Sequence, residues 1–242
     1  MQQPSAMIFA AGLGTRFKPW TDKHPKALAI VNGKSLLQRN IEYLQQYGIR
    51  DVVVNVHHFA DQITDTIRQN QGWGSTISIS DETDAVLETG GGLKKAAHFF
   101  SQTHSPVVII NVDILTNLDL GAMLKAHQTF QPLATLAVSD RSTSRYFLFD
   151  EQDTLVGWRN VNTGEEKISR PAPTCIQKAF SGIHVFDPAM LPMIHQEGKF
   201  SMVDVYLHLA KTQTIRAFDH SGSLFIDVGK PESVEKAERL FP

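Results

Sequence analysis

Apolar positions along this chain fall into two patterns. Ala6-Met7-Ile8-Phe9, Asp51-Val52-Val53-Val54-Asn55-Val56 and Val107-Val108-Ile109-Ile110-Asn111-Val112 are short, nearly unbroken apolar runs. Strands covered on both faces require such runs. Thr76-Ile77-Ser78-Ile79 reads as a further strand. Between the runs, apolar residues recur every three or four positions. Leu36, Leu37, Ile41 and Leu44 predict an amphipathic helix over 35–47, closed by Gly48. Helices are also expected over 59–69 and 93–100. Strand alternating with helix predicts an α/β fold with a mostly parallel central sheet and helices on both faces.

The second half changes character. Short strands are expected over 133–138, 145–150, 154–158, 180–186 and 214–219, with turn-rich segments between them. Helix returns over 203–211 and 232–240. Residues 160–175 hold Gly164, Pro171, Pro173 and mixed charges and read as a loop, the centre of a flap over 160–178.

Composition narrows the class. A length of 242 residues fits one α/β domain with a small β elaboration. Formal net charge is −2, so no basic field argues for nucleic acid or a membrane surface as partner. No apolar run approaches the ~20 residues that span a bilayer. Met1-Gln2-Gln3-Pro4 lacks the basic flank of a signal peptide, and a single cysteine, Cys175, rules out an internal disulfide or a multi-cysteine zinc site. These features predict a cytoplasmic protein. They say nothing about oligomeric state.

The candidate chemistry sits at strand ends, where parallel sheets bind ligands. Directly after the first strand comes Ala10-Ala11-Gly12-Leu13-Gly14-Thr15-Arg16, with Pro25-Lys26 further on. Small residues let the backbone approach a ligand, exposed amides cradle anions, and Arg16 and Lys26 add two positive charges. Phe17 stands where a dinucleotide G-x-G-x-x-G fingerprint needs its third glycine, and Gly90-Gly91-Gly92-Leu93-Lys94 does not fit the other phosphate loop. Asp113 follows the 107–112 strand, and Asp227 ends the apolar run Phe225-Ile226. Carboxylates in that position suit a divalent ion, since Mg²⁺ takes one or two carboxylates plus phosphate oxygens and water. His57-His58 reads as ordinary loop, because adjacent residues rarely converge on one ion. Trp73 and Trp158 read as packing or flap residues, not stacking platforms.

The pattern A-A-G-x-G-T-R…P-K resembles the signature of the nucleotidyltransferases that make nucleotide sugars, and the resemblance extends over nearly the whole chain. It implies a three-layer α/β/α fold of Rossmann-like kind, one domain over 1–242. A nucleotide-binding part would occupy about 1–115 and a sugar-binding part about 116–242. It implies transfer of a nucleoside monophosphate from a nucleoside triphosphate to a sugar 1-phosphate. By the same resemblance Asp113 and Asp227 hold the catalytic Mg²⁺, while Arg16 and Lys26 act on the phosphates. Ala10, Ala11, Gly12, Gly14, Thr15 and Asn111 would line the nucleotide. Leu87-Glu88-Thr89-Gly90-Gly91-Gly92 would lie against base and ribose as a glycine loop before a helix.

The E-T-G-G-G spelling is most like the bacterial N-acetylmuramate-1-phosphate uridylyltransferases of cell-wall recycling. It favours UTP, whereas a Glu88 facing the base would suit the N1–H and N2–H₂ of guanine. Arg145–Asp150 and Phe180–Phe186 resemble the family's sugar-side strands, placing Tyr146 and Gly182 by the sugar. Lys167, with Lys178 as alternative, is the candidate for the sugar phosphate. The other activities the motif allows are guanylyl or cytidylyl transfer to mannose, heptose, polyol or choline phosphates, and molybdopterin guanylyl transfer. A nucleotide-sugar sensor without activity is a further class, but such a chain should have lost one of its charged site residues.

Overall fold

Alternation within the parallel strands creates three layers. In β1 (Ser5–Phe9) Ala6 and Ile8 face one way and Met7 and Phe9 the other, so each set joins a different core. The computed structural model describes residues 4–242, and the expectation for Met1–Gln3 lies outside the described residues. After β1 a small hairpin, β2 (Ile30–Val31) and β3 (Lys34–Ser35), leads into helix α1 (Leu36–Gln46). Ser35 caps α1 by accepting from the Gln38 amide at 3.1 Å. The helix buries Leu36, Leu37, Ile41 and Leu44, the stripe expected from the sequence. Strand β4 (Asp51–Val56), helix α2 (Ala60–Gln69), strand β5 (Thr76–Asp81), helix α3 (Glu88–Ala96) and strand β6 (Val107–Asn111) complete the first half.

The second half runs through β7 (Ile114–Thr116), α4 (Leu120–Phe130), β8 (Ala134–Ser139), β9 (Arg145–Phe149), β10 (Leu155–Asn160), β11 (Glu166–Ile168) and β12 (Ile176–Phe186). Helix α5 (Met202–Leu209), β13 (Ile215–Asp219), β14 (Phe225–Asp227) and α6 (Glu232–Leu240) follow. One ten-stranded sheet carries both halves, ordered β11-β10-β9-β12-β6-β1-β4-β5, with β8 and β13 branching from β12. Its β6-β1-β4-β5 portion is parallel, and β12 joins β6 antiparallel. One face is covered by α1, α2 and α4, the other by α3 and α5. This is the α/β architecture the alternating pattern predicts.

Two segments differ from expectation. Residues 166–168 are not loop but an edge strand, paired with β10 from Gly157↔Ile168 to Arg159↔Glu166. All three residues are exposed, so they lack the alternation by which a strand is recognised. Strand β12 also begins at Ile176 rather than Phe180, which shortens the candidate flap to turns on either side of β11. The second correction concerns the glycines. Helix α3 begins at Glu88, so Gly90-Gly91-Gly92 lie inside it and not in a loop before it. A Cβ on Gly90 would sit 2.4 Å from Phe200 Cδ2, on Gly91 2.3 Å from the Gly198 oxygen, and on Gly92 2.7 Å from Glu82 Oε1. The three glycines are where the helix seats the 198–200 segment and the Glu82 side chain.

Candidate active site

The loop after β1 is tied down from within. Asn55, a polar residue in the apolar β4, accepts from the Ala10 amide at 2.7 Å and the Ala11 amide at 3.4 Å. Ala10 is therefore core, its amide already engaged, while Ala11 and Gly12 reach the open pocket. Gly14 adopts φ +60°, and a Cβ there would stand 2.8 Å from Thr21 Cγ2 and 3.2 Å from Lys26 Cβ. Its carbonyl accepts from Thr21 Oγ1 at 2.9 Å, which folds the chain back and brings Lys26 to the strand ends. Thr15 and Arg16 remain exposed on the intervening turn.

The two aspartates separated by over a hundred residues meet through β7 and β14. These strands pair antiparallel with Asp227 opposite Ile114, and the Val228 amide donates to the Asp113 carbonyl at 2.8 Å. Buried Asn40 supports the same turn by donating to the Val112 carbonyl at 2.9 Å. Lys26 Nζ donates to Asp113 Oδ2, and both side chains are only 14% exposed. Arg16 reaches across from the first loop: a Cβ on Gly229 would lie 3.0 Å from its guanidinium and 2.7 Å from Asp227 Oδ1. Loss of water around the Asp227 carboxyl raises its pKa and the Asp113 charge raises it further, while Lys26, Arg16 and Arg141 pull it back.

Two neighbouring carboxylates, one holding an ammonium, form a donor set that suits a divalent cation completed by phosphate oxygens and water. Among the described residues no group of three or more His, Cys, Asp and Glu could hold a metal by itself. The pair thus fits Mg²⁺ shared with a substrate and does not fit a site closed by protein alone.

Beside these charges lies a pocket of about 330 Å³, lined by Phe9, Ala11, Gly12, Asn55, Glu82, Val86, Glu88 and Thr89. A larger cleft of about 690 Å³ opens by Pro4, His104, Pro106 and Asp187, at the other end of the sheet, and holds none of the candidate residues. Glu82 is 1% exposed and accepts from Asn55 Nδ2 at 2.7 Å. Burial pushes its pKa up, and the Asn55 bond opposes that. His57 serves as structure here, its Nδ1–H donating to the Glu82 carbonyl at 2.6 Å. Glu88 stands at the rim with φ +58° and Lys199 Nζ 3.6 Å away. Thr89 Oγ1 accepts from the Met202 amide at 2.9 Å, and Gly90 is buried with its amide on the Phe200 carbonyl at 2.9 Å.

The sugar-side candidates separate. Gly182, at φ +72°, marks the point where the register of β12 with β8 shifts between Phe180 and His184. A Cβ there would meet Asn111 Nδ2 at 2.7 Å, so Asn111 and Gly182 share one wall beside Asp113. Tyr146 is half-buried on β9, its hydroxyl accepting from the Thr143 amide at 3.0 Å. Lys167 is exposed on β11, with Glu165 and Asp204 each 3.6 Å from Nζ and the Trp158 ring 5.5 Å away. Lys178 is held by Asp140 and by Asp219 at 2.7 Å. Sequence reasoning missed Asn55, Glu82, Asn40 and Arg141. Asn55 alone left a trace, as the polar residue in an otherwise apolar strand.

An anion loop at one strand end, facing paired aspartates at another beside a base-sized pocket, is the arrangement of an enzyme of nucleotide phosphates. The model of the nucleotidyl transferase family matches residues 5–241, and the chain belongs to that family. Its similar curated relatives are sugar-1-phosphate nucleotidyltransferases. The chain is 31% identical to an N-acetylmuramate alpha-1-phosphate uridylyltransferase of Caulobacter vibrioides, covering 96% of this chain and 95% of the relative. It is 30% identical to a UTP–glucose-1-phosphate uridylyltransferase of Synechocystis, but over 78% of this chain and only 50% of that protein. Among solved structures, the HddC protein of Yersinia pseudotuberculosis complexed with GMP-PN superposes at TM-score 0.78 with 23% identity, over 99% of this chain and 100% of the other. That likeness concerns the fold. Among the described residues no helix is long and apolar enough to cross a membrane.

Proposed function

We propose that this protein transfers a uridylyl group from UTP to a sugar 1-phosphate, with N-acetylmuramate 1-phosphate as the acceptor. The observation that carries the reading is the convergence of Lys26, Arg16, Asp113 and Asp227 on one wall beside the Ala11–Thr89 pocket. Full-length similarity to the Caulobacter enzyme supports the choice of base and sugar.

The base and ribose enter the pocket between Gly12 and Thr89, against Asn55 and Glu82. The triphosphate lies along the Gly12–Thr15 amides, where Arg16 holds the departing pyrophosphate. An oxygen of the sugar phosphate attacks the α-phosphorus, and the bond to the β-phosphate's bridging oxygen breaks. The electron pair leaves with pyrophosphate. The attacking group is already an anion, so no general base is needed, and rate comes from alignment and charge neutralisation. Lys26 meets charge growing on the α-phosphoryl oxygens. Mg²⁺ held by Asp113 and Asp227 would polarise the phosphoryl oxygens. Asn111 and Gly182 shape the wall on which the sugar phosphate rests.

A guanylyl reading has a structural observation in its favour: two carboxylates, Glu82 and Glu88, border the pocket. Guanine offers a carboxylate two adjacent N–H groups and uracil one. Pyrophosphate release should be followed with each triphosphate against a panel of sugar 1-phosphates. Release with UTP and N-acetylmuramate 1-phosphate, above all other pairs, is the expected result. Preference for GTP would transfer the reading to guanylyl transfer, and no release with any pair would remove it.

A further inference from the structure

A sugar 1-phosphate brings further negative charge to a centre that holds two carboxylates and a triphosphate. Its phosphate needs a cation besides those committed to the nucleotide. Several cations of the second half are already engaged. Lys167 is paired with Glu165 and Asp204, and Lys178 with Asp140 and Asp219. Arg159 lies 3.1 Å from Glu166, and Arg216 stacks 4.1 Å over Phe130. Arg170 donates to the carbonyls of Ala210 at 2.5 Å and Gln213 at 2.7 Å.

Arg141, in the loop between β8 and β9, differs in being fixed against the strand that carries Asp227. Among the described residues it has no ion pair, and its one hydrogen bond runs to the Phe180 carbonyl at 2.6 Å. Its guanidinium is otherwise held by the Phe225 ring, 5.1 Å below, which leaves most of its N–H donors for a ligand. Phe225 and Asp227 lie two apart on β14 and share a face, so the cation over Phe225 is directed to the Asp227 side. Burial lowers the Arg141 pKa, and the charges of Asp227 and Tyr146, the other sugar-side candidate, oppose that. The Phe180 carbonyl that anchors it precedes the shift in β12 that places Gly182 against Asn111. Arg141 thus shares the surroundings of Asp227 with Lys26 and Arg16, its guanidinium anchored by one bond and with donors to spare.

We propose that Arg141 binds the phosphate of the acceptor sugar 1-phosphate and aims it at the α-phosphorus. The inference rests on the nucleotidyl-transfer reading above. Arg141 takes no proton in the step. It neutralises the incoming phosphate while one of its oxygens forms the new bond, and the displaced electron pair departs with pyrophosphate.

The test measures binding of sugar 1-phosphates to the wild-type protein and to Arg141→Met and Arg141→Lys, with a non-hydrolysable triphosphate analogue present. Arg141→Met should weaken sugar 1-phosphate binding at least about tenfold while triphosphate affinity stays within about twofold, because a charge-assisted contact is lost from one substrate only. Added guanidinium should recover part of the loss, and Arg141→Lys should fall between the two. Phosphate-free N-acetylmuramate should bind both proteins alike. Unchanged sugar 1-phosphate affinity overturns the proposal. So does parallel weakening of both substrates with a lower melting temperature and no rescue, which would make Arg141 a prop for Phe180 and Phe225. Weaker binding of phosphate-free N-acetylmuramate would assign Arg141 to its carboxylate instead. A wild-type protein that binds no sugar 1-phosphate would remove the functional reading itself, and the inference with it.

Discussion

Lys26 and Asp113 neutralise each other before any substrate arrives, and each then has a separate part to play. Lys26→Ala should lower kcat by about 10²–10³-fold and change the triphosphate KM much less, the signature of a preorganised charge that acts mainly in the transition state. A change confined to KM would make Lys26 a ground-state binding group. Asp113→Asn should keep nucleotide binding and lose most turnover, since an amide is a poorer magnesium ligand and no longer balances Lys26. Turnover near the wild-type value at limiting magnesium would take Asp113 out of the centre. Residue type in context made these groups legible: glycines, arginine and lysine after a strand, and aspartate after apolar runs. Ala10 was not legible as core, because its neighbours in the motif line the pocket and only tertiary packing turns it inward.

At the scale of elements, α3 gives Glu88 and Thr89 to the pocket wall and packs Gly90 and Gly91 on the 198–200 segment. Gly91→Ala should force the Gly198 carbonyl away from a contact that would otherwise be 2.3 Å, at a cost of about 1–3 kcal/mol as for overpacking elsewhere. Thr89 and Glu88 sit on the same helix and bond to Met202 and Lys199, so nucleotide affinity should fall together with the melting temperature. A stable variant with unaltered affinity would show that the 198–200 segment moves without cost. The helix itself was legible only from Leu93 onward. Three glycines in a row carry no helical propensity, and the reason they are tolerated is a neighbour a hundred residues away. The β10–β11 hairpin escaped notice for a related reason: an edge strand exposed on both faces shows no alternation.

For the molecule as a whole, three histidines are buried in the neutral form. Burial depresses His127 to about 4 and His184 to about 3, and lowers His220 as well. A histidine whose folded pKa lies below its unfolded value of 6.5 is protonated preferentially in the unfolded chain. Its contribution is complete above pH 6.5 and is lost as pH falls through the window from 6.5 to about 4. The urea midpoint should therefore fall on acidification across that window. His127→Gln, which keeps a polar group toward Thr135, should lessen the slope by up to about 1.4 kcal/mol per pH unit. Equal slopes would show that His127 titrates normally in the folded protein.

Local pattern by itself determined the layered α/β fold, the parallel nucleotide-side strands, the strand-end position of Asp113 and Asp227 and the family resemblance. These are properties of neighbours in the chain: unbroken apolar runs must be covered on both faces, and a short motif carries its own spacing. Tertiary structure alone decided that Asp113 and Asp227 adjoin, through a two-stranded pairing of β7 with β14 that neither sequence announces. It also engaged Lys167 and Lys178 with carboxylates, left Arg141 without an ion pair among the described residues, and buried Glu82 and Asn55 under the pocket. Whether a charge is free or neutralised depends on which distant strands the sheet places side by side, and nothing in a residue's own neighbourhood records it.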